Sequence, residues 1–300
     1  MVYRLEAEVI MKHYCIGDTD ILLDPGPIAI KESPRTLPFL SEREVGPDPV
    51  CIYGKGTDLS FLEDWEVELY TGGYEIRSRE GKRFLLRHWM THRFAFGIYL
   101  EELFGTGPIH FYCNESLIDE MTLNMDHLLG SVGIHHRLLQ RDSVIVHASY
   151  ISYEGEGILF TAPSQTGKST QAELWHHYAG AEVVNGDRAL LFLRDGRWYT
   201  GGYIASGSSG ICKNELLPLK AVIRLAQGSE NLIRPLTRKE RYRVILSAME
   251  TFHWSGEDLN LTFDLADRIV AETDMLNYSC RPDEDAVCTL ENYLRRDGQC

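Results

Sequence analysis

The sequence predicts an α/β protein: a phosphate-loop core preceded by a β-rich N-terminal region. Three observations predict it. An apolar run of strand length, Gly157-Ile-Leu-Phe-Thr161, ends in a tight loop and then in Gly167-Lys168-Ser169-Thr170, where a helix-like pattern begins. A second strand ends in Gly186-Asp187-Arg188, 18 positions after Ser169. A Gly/Ser-rich segment at 201–214 is framed by strand-like runs on both sides.

The N-terminal region, 1–141, reads as short strands and turns. Leu5, Ala7 and Val9 alternate along 4–10, Gly17 to Asp20 is a turn, and Ile21 to Leu23 is a short strand. Residues 31–49, rich in Pro, Ser, Arg and Glu, suit an exposed loop. Residues 74–87 suit a hairpin turning near Glu80-Gly81, and Pro108 to Cys113 another strand. The region closes with one helix over about 121–140, striped by Met125, Leu128, Leu129, Val132, Leu138 and Leu139. Its His127, His135 and His136 lack a carboxylate three or four residues away, so a metal site is not expected there.

The domain at 142–300 opens with a strand, 143–152, that turns at Tyr153 to Glu156 into the phosphate-loop strand. The helix from Lys168 should stop at Gly180. A strand at 181–185 follows, then a hairpin of 189–193 with 197–200 turning at Asp195-Gly196. After the Gly/Ser segment come a strand at 221–225, a helix at 237–252, a helix near 259–272, a strand at 275–278 and a helix near 284–295.

The chemistry follows from the loop. Backbone N–H groups of Ser164, Gln165, Thr166, Gly167 and Thr170, with the positive end of the new helix, suit the phosphates of a nucleotide. Lys168 would reach the β- and γ-phosphates, and Ser169 would place its hydroxyl on Mg²⁺. The motif's first glycine is replaced by Ala162, which is tolerable if φ stays negative there. Asp187, at the carboxyl end of a strand, is the candidate to hold Mg²⁺ or to take a proton from the acceptor. The Gly/Ser loop, including Ser206, Ser208, Ser209 and Lys213, is expected to shape the acceptor pocket.

In order, His147 in a strand, a hairpin, Gly167-Lys168-Ser169-Thr170, a helix and Gly186-Asp187-Arg188 resemble the HPr kinase/phosphorylase family. Its relatives include peptide kinases and, more distantly, phosphoenolpyruvate carboxykinase. The 201–210 loop, Lys213-Asn214 and Leu217-Pro218 are similar to a loop of these kinases. The likeness covers about 143–295 and is sharpest at 147–188. It implies an HPr-kinase/phosphoenolpyruvate-carboxykinase-like P-loop kinase core, with ATP and Mg²⁺, and His147 near the reacting phosphoryl group. One departure stands out. The family carries two consecutive aspartates, of which Asp187 matches the second and Gly186 replaces the first, the family's presumed base.

Composition narrows the partners. Of 300 residues, 44% are hydrophobic and the net charge is −14, with 14 basic and 22 acidic residues up to 141 and 16 and 22 after it. Neither part is basic, so nucleic acid and anionic membranes are not expected partners. Met1 to Ile10 carries Arg4, Glu6 and Glu8, so no signal peptide is expected. Seven scattered cysteines without CxxC pairs suit reduced thiols in the cytoplasm. The expected enzyme is therefore a cytoplasmic ATP-dependent kinase of a hydroxyl, first a serine on a peptide or small protein. A kinase of free serine or a polyol, and a non-catalytic nucleotide-binding regulator, are the alternatives. No second basic cluster suited to a dianion stands out, which speaks against carboxykinase activity. Homo-oligomerisation is left open.

Overall fold

The computed structural model describes residues 11–297 except 29, 92–93, 114–123, 164 and 253–255, and leaves the side chains of 89–96, 208, 296 and 297 aside. The strand expected at 4–10 lies outside the described residues. The chain forms two compact units, 1–133 and 134–300.

The first unit is built on an eight-stranded mixed sheet. Its strands are β1 (Lys12–Ile16), β2 (Thr19–Asp24), β3 (Val50–Gly56), β4 (Glu66–Tyr70), β5 (Tyr74–Arg79), β6 (Lys82–Thr91), β7 (Phe94–Glu102) and β8 (Ile109–Cys113). They lie in the order β1-β2-β3-β8-β7-β6-β5-β4. The β5–β6 hairpin turns through Glu80 and Gly81 at φ +53° and +76°, the twist-matched turn that favours glycine at its second position. Between β2 and β3 the chain is irregular and largely exposed, although Phe39 is buried. Helix α1 (Met125–Ser131) is capped by the Asn124 side chain, which accepts from His127 N at 3.1 Å.

The single helix expected over 121–140 is instead two. Gly133, at φ +64°, breaks it, and α2 (His135–Leu139) belongs to the second unit. Residues 121–123 lie outside the described residues.

The second unit holds a ten-stranded sheet in the order β12-β10-β11-β15-β14-β13-β9-β17, with β18 and β16 continuing beside β15. The strands are β9 (Ser143–His147), β10 (Ser149–Tyr153), β11 (Glu156–Thr161), β12 (Glu182–Asn185), β13 (Arg188–Arg194), β14 (Arg197–Gly202), β15 (Leu216–Gln227), β16 (Leu232–Pro235), β17 (Met249–Glu250) and β18 (Met275–Cys280). The helices are α3 (Lys168–Ala179), α4 (Arg238–Ala248), α5 (Gly256–Glu272) and α6 (Glu284–Asp297).

Helices cover both faces because alternate residues of the inner strands feed opposite cores. Leu159 and Val222 pack with Val244, Ile245, Ala266 and Ile269 of α4 and α5. Ile158, Phe160 and Ile223 pack with Trp175 of α3 and Leu290 of α6. Parallel pairing of β11, β15 and β18 puts their carboxyl ends side by side, next to the amino end of α3. The strand expected over 143–152 is divided at Ala148. β9 pairs with β13 and β17, whereas β10 pairs with β11 and β12. The long strand β15 joins the two groups, pairing with β11 along one edge and with β14 and then β18 along the other. Among the described residues, no helix is long and apolar enough to cross a membrane.

Candidate active site

β11 ends at the buried Thr161, and α3 begins seven residues later at Lys168. Gly167 caps the helix at φ +110°, a conformation that side chains disfavour, and Gln165 holds φ +63°. Ala162 is not in the left-handed region, so a methyl group in place of the motif's glycine meets no backbone strain. Lys168 is buried, and its Nζ donates to Ala162 O at 3.1 Å. Burial lowers its pKa below the ordinary lysine value, with the Asp187 charge opposing the shift. Ser164 lies outside the described residues.

The acidic turn is tied to this loop. Ser149 Oγ donates to Gly186 O at 2.7 Å, and Ser169 Oγ reaches the same oxygen at 3.5 Å. Asn185, fully buried, organises the turn from below. Its Oδ1 accepts from Asp187 N at 2.9 Å and Arg188 N at 3.0 Å, and its Nδ2 donates to Tyr203 O at 2.7 Å and Ala205 O at 3.1 Å. Sequence reasoning missed Asn185, although an Asx residue before Gly-Asp is a turn signal.

The Asp187 carboxylate faces a histidine and an arginine. His147 Nδ1 lies 3.5 Å from its Oδ1, and Arg188 Nη1 donates to Oδ2 at 2.5 Å. Arg188 Nε continues to Glu250 Oε1 at 2.7 Å, and His135 Nε2 lies 3.7 Å from Glu250 Oε2. Burial raises the Glu250 pKa, but the His135 hydrogen bond and the Arg188 charge outweigh it, and the carboxyl sits below its ordinary value. His135, which the sequence offered no role, is thus joined to Asp187 through two intervening charged groups.

The Gly/Ser loop covers the turn. A Cβ built on Gly207, at φ +55°, would fall 2.8 Å from Asp187 Cγ. A Cβ on Gly186 would fall 2.5 Å from Ser209 Oγ. Ser209 Oγ donates to Ser206 O at 2.8 Å, which folds the loop on itself. Ser206 is buried, and its hydroxyl has no partner among the described residues. The loop then returns along β12, where Lys213 N donates to Val184 O at 3.1 Å and the Lys213 ammonium pairs with Glu182. Ser206 and Ser209 therefore gather at the acidic turn, whereas Lys213 is carried along β12 to its far end. The Ser208 side chain is not described.

No family model matches the chain, and no curated protein matches it. Among solved structures it is similar to the Hpr(Ser) kinase/phosphatase from Coxiella burnetii. The two share 13% identity at a TM-score of 0.32, over 51% of this chain and 89% of that one. The likeness is distant.

Two cavities flank the loop. One, of about 490 Å³, is lined by Gln165, Thr166, Gly167 and Thr170 together with Gln171 and Gln227. The other, of about 610 Å³, is lined by His147, Thr161, Ala162 and Pro163 with Arg224 and Arg243. Among the described residues, none of 201–214 lines either one. The two arginines are the basic pair that the sequence did not reveal, since 19 positions separate them.

The residues fit a magnesium-bound triphosphate. The Ser169 hydroxyl reaches Gly186 O, Asp187 is the next residue along the turn, and both side chains offer hard oxygens of the kind that suits Mg²⁺. Lys168 is tied to Ala162 within the phosphate loop and lies within the electrostatic reach of Asp187.

Proposed function

We propose that the unit at 134–300 is an ATP-dependent phosphotransferase whose acceptor is a hydroxyl. A serine on a peptide or small protein is the first choice, with free serine or a polyol as the alternative. The observation that carries this reading is the gathering of Ser169 and His147 at the Gly186-Asp187 turn, with Lys168 in electrostatic reach of Asp187, from three separate strand ends.

The loop N–H groups and Lys168 would hold the β- and γ-phosphates, and Ser169 and Asp187 would hold Mg²⁺, which would neutralise charge on the phosphates. The acceptor oxygen attacks the γ-phosphorus. An O–P bond forms, the bond to the β,γ-bridging oxygen breaks, and its electron pair leaves with ADP. The acceptor proton passes to the His147–Asp187 pair, of which His147 lines the larger cavity. Gly207 packs against Asp187 and Ser209 against Gly186, so the carboxylate is partly shielded on the loop side.

The test is transfer of labelled γ-phosphate from ATP into a lysate or metabolite pool, with the product identified. A labelled phosphoester that disappears with Lys168→Ala supports the reading. Binding of ATP without any turnover supports instead a nucleotide-binding regulator, the reading that Ala162 and Gly186 favour.

A further inference from the structure

The larger cavity carries more information than its position. Its volume of about 610 Å³ lies within the range of small-molecule sites. One wall is apolar, from Leu236, Val244 and Ala248, and the cavity is also lined by His147, Arg224, Glu240 and Arg243. Glu240 is already committed. Arg234 donates to both of its oxygens, at 2.9 and 2.6 Å, and Thr237 N donates to Oε2 at 2.9 Å in a capping box that starts α4. These bonds, led by that of Arg234, hold the Glu240 carboxyl far below its ordinary pKa.

Among the described residues, neither arginine is charge-paired. Arg224 is half-buried, and its Nη1 donates at 2.6 Å to Asn277 Oδ1, a neutral partner. Arg243 is exposed on α4 and has no hydrogen bond or ion pair among the described residues. Two uncompensated guanidiniums therefore face one concave site in a chain of net charge −14. A protein with this much acid gains nothing in solubility from such a pair, whereas a guanidinium fork is matched to carboxylate and phosphate.

We propose that this cavity binds the phosphoryl acceptor through an anionic group, a carboxylate or a phosphate, held by Arg224 and Arg243 while the hydroxyl faces His147. This rests on the phosphotransfer reading for the word acceptor, but the anion site stands on the cavity alone. Neutral polyols and serines without a nearby acid are then poor ligands. A charge-assisted pair in a partly desolvated site accounts for about tenfold to a hundredfold in affinity.

The experiment titrates glycerate, glycerol 3-phosphate and glycerol into the full chain by calorimetry, with a non-hydrolysable ATP analogue as a separate ligand. Phosphotransfer to each probe is followed in parallel. At least one acidic probe is expected to bind, glycerol is not, and which acid binds tells carboxylate from phosphate. Arg243→Gln, on an exposed helix face, should weaken that binding about tenfold or more and leave the analogue's affinity unchanged. Arg224→Gln should do the same. The proposal is overturned if neither acid binds at millimolar concentration, if glycerol binds equally, or if both variants bind like wild type. A loss of analogue affinity in the variants also overturns it, because the cavity would then serve the nucleotide. Arginine-dependent binding of an acid with no movement of phosphate supports the anion site and removes the phosphotransfer reading.

Discussion

Ser209 stands where a side chain at residue 186 would lie. A Cβ on Gly186 comes within 2.5 Å of Ser209 Oγ and 2.6 Å of Ser209 Cβ. Gly186 does not adopt a positive φ, so the demand for glycine here is one of space and not of backbone conformation. The glycine at 186 and the Gly/Ser loop are therefore one arrangement.

Gly186→Asp should accordingly push the loop off the turn. Overpacking of this kind costs about 1–3 kcal/mol, readable as a lowered unfolding midpoint. Phosphotransfer should fall with it, because Gly207 is packed against Asp187. Adding Ser209→Gly should recover part of both. Wild-type stability and rate in Gly186→Asp alone would show that the loop does not hold this position.

Lys168→Ala and Ser169→Ala should each lower kcat about tenfold to a hundredfold, the worth of a charge-assisted phosphate contact or a metal ligand. The measurement is steady-state phosphotransfer at saturating Mg²⁺-ATP, with circular dichroism to confirm folding. Retention of the wild-type rate in either would place the chemistry elsewhere.

Asp187→Asn is nearly isosteric and keeps an acceptor for Arg188, so the fold should survive while kcat falls at least about a hundredfold. His147→Ala should also fall, and the double variant should lose less than the product of the two, since they act as a pair. A fully active Asp187→Asn beside a dead His147→Ala would sink this division of labour. The proton would then leave through the histidine alone.

Glu250 links the site to pH. Its folded pKa lies below the ordinary 4.5, so its stabilising contribution is fully present above that value and is lost as pH falls through the folded pKa. Unfolding midpoints of wild type should therefore drop on acidification below about pH 5 more steeply than those of Glu250→Gln. Parallel acid limbs in the two proteins would mean that the His135–Glu250–Arg188 chain adds no stability.

The amino-acid sequence by itself determined the features that act over a few residues. The run Gly157 to Thr161, the left-handed Gly167 and the helix stop at Gly180 are local choices of backbone, and they place Lys168 and Ser169 at a helix start. Hairpin turns at Glu80-Gly81 and Asp195-Gly196 are of the same kind. Tertiary structure alone decided what meets across the sheet. The split at Ala148, the seating of Ser209 on Gly186 and the pairing of Arg224 with Arg243 in one cavity depend on strand order. That order is set by packing two cores on opposite faces of one sheet, a condition met only by the assembled unit. No window of neighbouring residues carries it, because periodicity reports which face a residue occupies and not which distant strand lies beside it.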